Sequence, residues 1–126
     1  MRHAVTAPTA AAAIGPYSPA LRAGGLLFVS GQIPLDGATG QLVEGDITAE
    51  TARVLDNIGD LLRAGGASFA DVARTTIFLT NLDDFAAVNA VYATYFAEPY
   101  PARATVQVSR LPKGVRVEID AIAVLP

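Results

Sequence analysis

Val115-Arg116-Val117-Glu118-Ile119-Asp120-Ala121-Ile122-Ala123-Val124 alternates in chemistry along its length. In an extended chain Val115, Val117, Ile119, Ala121 and Ala123 point one way, and Arg116, Glu118, Asp120, Ile122 and Val124 point the other. The first side is wholly apolar and has to be covered. The second mixes charge with aliphatic groups, which suits water or a partner subunit's sheet. The run predicts a strand in a sheet whose one face is covered by helices, and the rest of the chain must supply that cover.

Upstream, a turn containing Pro112 and Gly114 separates this strand from another over Ala104 to Val108. Before that, Asp83-Asp84 opens a segment in which Phe85, Val88, Tyr92, Tyr95 and Phe96 recur at helical spacing until Pro99 and Pro101 break it. Val72 to Thr80 is rich in β-branched residues and predicts a buried strand. A longer helix starts at Asp46, a plausible N-cap, places Ile47, Val54, Ile58, Leu61 and Leu62 on one face, and stops at Gly65-Gly66. Its other face, with Glu50, Arg53, Asp56, Asp60 and Arg63, is expected to meet water.

At the start, Tyr17 to Ala23 and Leu26 to Ile33 read as strands joined by a tight turn at Gly24-Gly25. Pro34 ends the second strand, and Asp36-Gly37-Ala38-Thr39-Gly40 is a loop. The expected order is ββαβαββ. It predicts one domain over residues 1–126, an α+β layer fold with two helices on one face and antiparallel hairpins at both ends.

Composition narrows the function classes. With 52% hydrophobic and 17% charged residues the chain can bury a real core, and a mean hydropathy of +0.38 leaves apolar surface over for self-association. Net charge is −3, and the nine cationic residues are scattered from Arg2 to Arg116, so nucleic acid is not an expected partner. Cysteine is absent, which removes thiolate catalysis, disulfides and cysteine metal sites. The one histidine, His3, lies near a terminus expected to be mobile. The run Ala10 to Ile14 is too short and too weakly hydrophobic for a secretion signal, and no stretch approaches the roughly 20 apolar residues of a membrane span. A cytoplasmic protein without a membrane partner is expected.

Several residues could carry chemistry. Arg103 stands where a proline-bounded segment enters a strand. Its planar fork matches a carboxylate, but an arginine there can equally be solvated or salt-bridged. Glu118 lies mid-strand, where partial burial would raise its pKa and let it exchange a proton with water or substrate; the alternative is a cross-strand ion pair with Arg116 or another cation on a wet face. Tyr17 and Ser30 offer hydroxyls near opposite ends of the first hairpin, and Gly31 leaves its backbone open to close approach. Asn89 interrupts the second helix, either to satisfy a neighbouring loop or to meet a substrate. No Ser-His-Asp triad, histidine-rich metal site or glycine-rich phosphate loop can be assembled.

Ile14-Gly15-Pro16-Tyr17-Ser18, Val29-Ser30-Gly31-Gln32-Ile33-Pro34, Asp84-Phe85 to Asn89, and Pro101-Ala102-Arg103 through Val117-Glu118-Ile119 to Ala121-Ile122-Ala123 closely resemble the Rid family, the reactive intermediate deaminases or YjgF-like proteins. The resemblance covers nearly the whole chain. Arg103 and Glu118, separated by the Leu111-Pro112-Lys113-Gly114 turn, are its most specific part. It implies a chorismate-mutase-like fold and a homotrimer whose sheets form a central barrel with three clefts between subunits.

The resemblance also assigns roles. Arg103 would bind a substrate carboxylate and Glu118 would hold or activate water, while Tyr17, Ser30, Gly31, Asn89 and the backbone of Thr105 would line the cleft. Many relatives have cysteine at the position of Thr105, so pocket size here can differ. The implied activity is cofactor-free hydrolysis of small 2-imino and 2-enamino acids, such as 2-aminoacrylate, to 2-keto acids and ammonia. The alternative is a trimeric small-molecule-binding or chaperone-like protein that keeps the cleft without turnover.

Overall fold

The alternating run at the C-terminus becomes the inside of a sheet, not its edge. In a computed structural model that describes all of Met1–Pro126, six strands form one sheet. They are β1 (Arg2–Val5), β2 (Ala20–Ala23), β3 (Leu26–Gln32), β4 (Val72–Leu79), β5 (Ala102–Gln107) and β6 (Val117–Val124). Their spatial order is β1-β2-β3-β6-β4-β5. Helices α1 (Ile47–Ala64) and α2 (Phe85–Tyr92) complete the fold. Neither is long and apolar enough to cross a membrane.

The predicted parity of β6 holds. Val117, Ile119, Ala121 and Ala123 are buried, while Glu118, Asp120 and Ile122 are half-buried and Val124 is exposed. On the covered side they join Leu27 and Val29 of β3, Ile77 and Leu79 of β4, and Val54, Ile58, Leu61 and Leu62 of α1 in one cluster. The α1 limits follow from its caps. Asp46 accepts a hydrogen bond from the Ala49 amide, and the chain leaves the helix through Gly65 and a left-handed Gly66.

Three expectations about the sheet need correction. The first is strand number: Arg2–Val5 is a strand, paired antiparallel with Ala20–Ala23, so His3 stands opposite Arg22 in a ladder and not in a loose terminus. Four residues that open on Arg and His carry no readable alternation; pairing with the open edge of β2 is what makes them a strand.

The second concerns the C-terminal pair, which is not a hairpin. β5 runs parallel to β4, and β6 lies between β3 and β4, antiparallel to both. A helix between β4 and β5 gives the crossover that parallel neighbours need, and the wholly apolar side of β6 suits the middle of the sheet better than its edge. The third is a boundary: β2 starts only at Ala20, because Pro19 has no amide to give a ladder.

Two helix expectations also change. The second helix is shorter than its pattern: a 3-10 turn over Leu82–Asp84 leads into α2, which ends at Tyr92. Tyr95 and Phe96 still pack inward, Phe96 stacking on Tyr92 at 4.3 Å between centroids and meeting Phe69 edge-on at 5.1 Å. Glu50, placed on the wet face of α1, is buried. It pairs with Arg116, whose guanidinium also donates to the Gly45 carbonyl at 2.9 Å and so ties the start of α1 to the approach to β6.

Asn57, fully buried on α1, donates to the carbonyls of Ile33 (3.3 Å) and Leu35 (2.8 Å), which pins the chain as it leaves β3. Asn57→Ala removes both bonds and leaves the Leu35 carbonyl without a partner, while the Ile33 carbonyl keeps the Leu35 amide at 2.7 Å. It is expected to lower unfolding free energy by about 2 kcal/mol in urea titration. A loss under about 0.5 kcal/mol would mean that solvent reaches these carbonyls.

Candidate active site

Glu118 projects from the middle of the sheet onto the face that the helices leave open. β3 makes room for it. Between Val29 and Gln32 the β3–β6 register shifts, and Gly31 falls in this irregular stretch. A Cβ on Gly31 would lie 2.8 Å from Glu118 Cδ and overlap the carboxylate itself. Gly31 is thus required by close approach and not by a turn. The Ser30 hydroxyl donates to the Ser18 carbonyl at 2.7 Å, fixing the segment that carries Tyr17 against β3.

Tyr17, Ser30, Gly31 and Glu118 line one open cleft of about 410 Å³. Sequence reasoning missed its apolar walls, Ile14, Ile33 and Pro112. They come from three separate segments, the loop before β2, the residue just past β3 and the turn before β6, and no local pattern marks them as neighbours.

Inside this cleft Glu118 has no hydrogen-bonding partner, and Arg116 points instead to Glu50. The cross-strand ion pair considered for Glu118 is therefore absent. Burial, and then the negative charge of Asp120 two residues on, push the Glu118 carboxyl above its ordinary 4.5. Asp120 itself accepts a hydrogen bond from the Thr76 amide at 3.2 Å.

Arg103 occupies a second cleft of about 360 Å³, which Asn89, Tyr92, Tyr100 and Pro101 also line. It forms no ion pair. Its guanidinium lies over two rings, 4.9 Å from the centroid of Tyr92 and 5.6 Å from that of Phe85. Asn89 is half-buried, and its side chain bonds to no loop. Thr105, two residues beyond Arg103 on β5, has a buried hydroxyl oxygen without a partner and lines neither cleft.

Strand parity separates the two clefts. Arg103 is directly opposite Thr75, which is buried and hydrogen-bonded to Tyr92 of α2, so Arg103 projects on the helix side of the sheet. Glu118 is opposite Phe78, three residues further along β4 and hence on the other side. The two residues with the clearest chemistry stand two strands apart on opposite faces. One chain does not bring them together over a small ligand.

A sequence profile described as endoribonuclease L-PSP matches residues 7–125. The chain is 56% identical to Protein DfrA of Myxococcus xanthus, over 98% of this chain and 95% of that protein. It is 48% identical to a 2-iminobutanoate/2-iminopropanoate deaminase of Capra hircus, over 98% and 90%. The crystal structure of YyfA, from the conserved Rid protein family of Yersinia pestis, superposes with a TM-score of 0.96 at 45% identity, covering 99% of this chain and 100% of that one. The chain belongs to the Rid family. The Rid fold accounts for the mixed sheet and its two helices, and the family resemblance read from the segments around Tyr17, Ser30, Arg103 and Glu118 is confirmed at full length.

The raised pKa of Glu118 has a measurable consequence. Such a carboxyl holds more protons folded than unfolded, so it subtracts stability as pH rises from about 4.5 through its folded value. Glu118→Gln removes that cost. It is expected to raise the urea midpoint at neutral pH, with the gain disappearing below about pH 4. An equal gain at both pH values would trace the effect to packing and not to ionisation.

Proposed function

We propose that this Rid protein is an enamine and imine deaminase, hydrolysing 2-aminoacrylate/2-iminopropanoate and 2-iminobutanoate to 2-keto acids and ammonia in clefts between the subunits of a homotrimer. The observation that carries the reading is the division of the site. Arg103 and Glu118 each face an open cleft, on opposite sides of one sheet, and a neighbouring copy is what would set one against the other. The open sheet face, with Phe28 and Val124 39% and 52% exposed, supplies apolar surface for such a neighbour. The identity to deaminases of the family supports the substrate class.

In this mechanism the Arg103 fork grips the substrate carboxylate. An enamine first takes a proton at carbon to become the imine. Water adds to the C=N carbon as one of its protons passes to the nitrogen, giving a carbinolamine. The carbinolamine hydroxyl then gives up its proton as the nitrogen gains one, and ammonia leaves as the C–N bond breaks and the carbonyl forms. Glu118, partly desolvated and held over Gly31, takes the proton from water and returns it to the departing nitrogen. Ser30 and Tyr17 border the reacting end and Asn89 borders the carboxylate end, while the Thr105 backbone, outside both clefts of the single chain, would join only in the assembled site. Ile14, Ile33 and Pro112 favour a short aliphatic side chain.

A ribonuclease, which the profile's description suggests, would need a different acid–base set. The one imidazole, His3, lies against Met1, Arg22 and Gly24, outside both clefts.

The test generates the imine with an amino-acid oxidase and follows keto-acid release. Wild type is expected to accelerate release. Arg103→Ala should lose acceleration and carboxylate binding, and Glu118→Gln should lose about 100-fold or more in turnover while retaining binding. No acceleration by folded wild type across several imines would favour a binding protein without turnover.

Mixing the two inactive chains tests the shared cleft. Co-refolded Arg103→Ala and Glu118→Gln chains are expected to regain roughly a quarter of wild-type activity, the statistical share of clefts with both residues intact. No recovery in a mixed oligomer would place both residues in one chain's site.

A further inference from the structure

Arg103 is positioned without spending any of its hydrogen-bond donors. An arginine that must grip a ligand has to be held still, and the usual way is an ion pair or a bond to a carbonyl, either of which uses part of the fork. Arg103 has neither. Aromatic faces hold it instead: Tyr92 at 4.9 Å and Phe85 at 5.6 Å, within the range in which a cation is attracted to a ring. None of its N–H groups is bonded to a protein acceptor, so the fork stays available for a ligand.

The nearer ring is itself fixed. Tyr92 is 6% exposed, stacks on Phe96, and shares a 2.7 Å hydrogen bond with the hydroxyl of Thr75, the residue directly opposite Arg103 on β4. Ring and guanidinium are thereby referenced to the same point of the sheet. Burial keeps the Tyr92 phenol above its ordinary 10.0, although the Thr75 hydrogen bond and the charge of Arg103 pull it down, so the ring stays neutral at physiological pH. Phe85, 40% exposed at the first turn of α2, closes the outer side.

We propose that Tyr92 and Phe85 are positioning residues, an aromatic bracket that orients Arg103 for a carboxylate while leaving its fork free. This rests on the reading of Arg103 as the carboxylate anchor. It assigns α2 a part in ligand binding beyond covering the sheet. The α2 residues read from sequence as one helical face therefore divide in use: Val88 only packs in the core, Tyr92 packs there and also meets the guanidinium, and Phe85 meets it from outside the core cluster.

The test measures 2-oxobutanoate binding by calorimetry for wild type, Arg103→Ala, Tyr92→Phe, Tyr92→Leu, Phe85→Tyr and Phe85→Leu. Thermal unfolding is recorded for each variant. Variants that keep a ring are expected to bind within about twofold of wild type. Tyr92→Leu should lose about tenfold and Phe85→Leu about threefold. Rescue by the aromatic variants separates a bracket from general packing.

Should Tyr92→Leu fail to fold, Phe85→Leu decides alone, since its side chain is outside the core cluster. Wild-type affinity in folded Phe85→Leu and Tyr92→Leu, with binding abolished in Arg103→Ala, would overturn the bracket and leave the anchor standing. No binding by wild type, or unchanged binding by Arg103→Ala, would remove the anchor and the bracket with it.

Discussion

The parity of β6 governs this structure. The strand is bonded on both sides, to β3 and to β4, and its two faces differ sharply. A slip of one residue would turn Glu118 and Asp120 toward α1 and expose Val117 and Ile119. Burying two unpaired carboxylates costs several kcal/mol at least, so the alternative register is closed. β4 inherits its alternation from β6, and β5 inherits its own from β4. The side on which Arg103 emerges is thus decided two strands away, by the apolar residues of β6.

The open face follows from the same constraint. Phe28 stands opposite Ile122 and Leu26 opposite Val124, so an apolar band runs next to the acidic pair Glu118 and Asp120. The apolar half does not suit water. On the proposed reading a neighbouring sheet covers the band and leaves the rim, where Glu118 sits above Gly31, as the wall of a cleft. Burial is therefore both what raises the Glu118 pKa and what favours assembly; the two effects share one surface.

Most of this was legible wherever the pattern was long enough. Ten alternating residues fixed the side on which Glu118 emerges, and α1 followed from its apolar stripe and its caps at Asp46 and Gly65-Gly66. What escaped was decided by partners distant in sequence. Arg2–Val5 is a strand because β2 offers an edge, and the place of β6 between β3 and β4 depends on a crossover that no local pattern records. Glu50 reads as a surface charge until Arg116, 66 residues later, arrives beside it.

In the site, motif residues could be named from the chain, but their division between two faces needed the register. The partners of Arg103 went unread because Tyr92 and Phe85 at helical spacing look like core.

The side chains available also fit the chemistry proposed for them. With no cysteine and with its one imidazole outside both clefts, the site has no strong nucleophile and no neutral base near pH 7. Ester or phosphodiester hydrolysis, which must stabilise a poor leaving group, would be badly served. An imine is different, because its carbon is already electrophilic and its nitrogen leaves readily once protonated. A carboxyl of raised pKa that meets water, with a fixed arginine to hold the substrate end-on, supplies the two effects such a reaction can use: orientation and one timed proton exchange. Free donors on Arg103 matter most here, since a small substrate presents little besides its carboxylate to be held by.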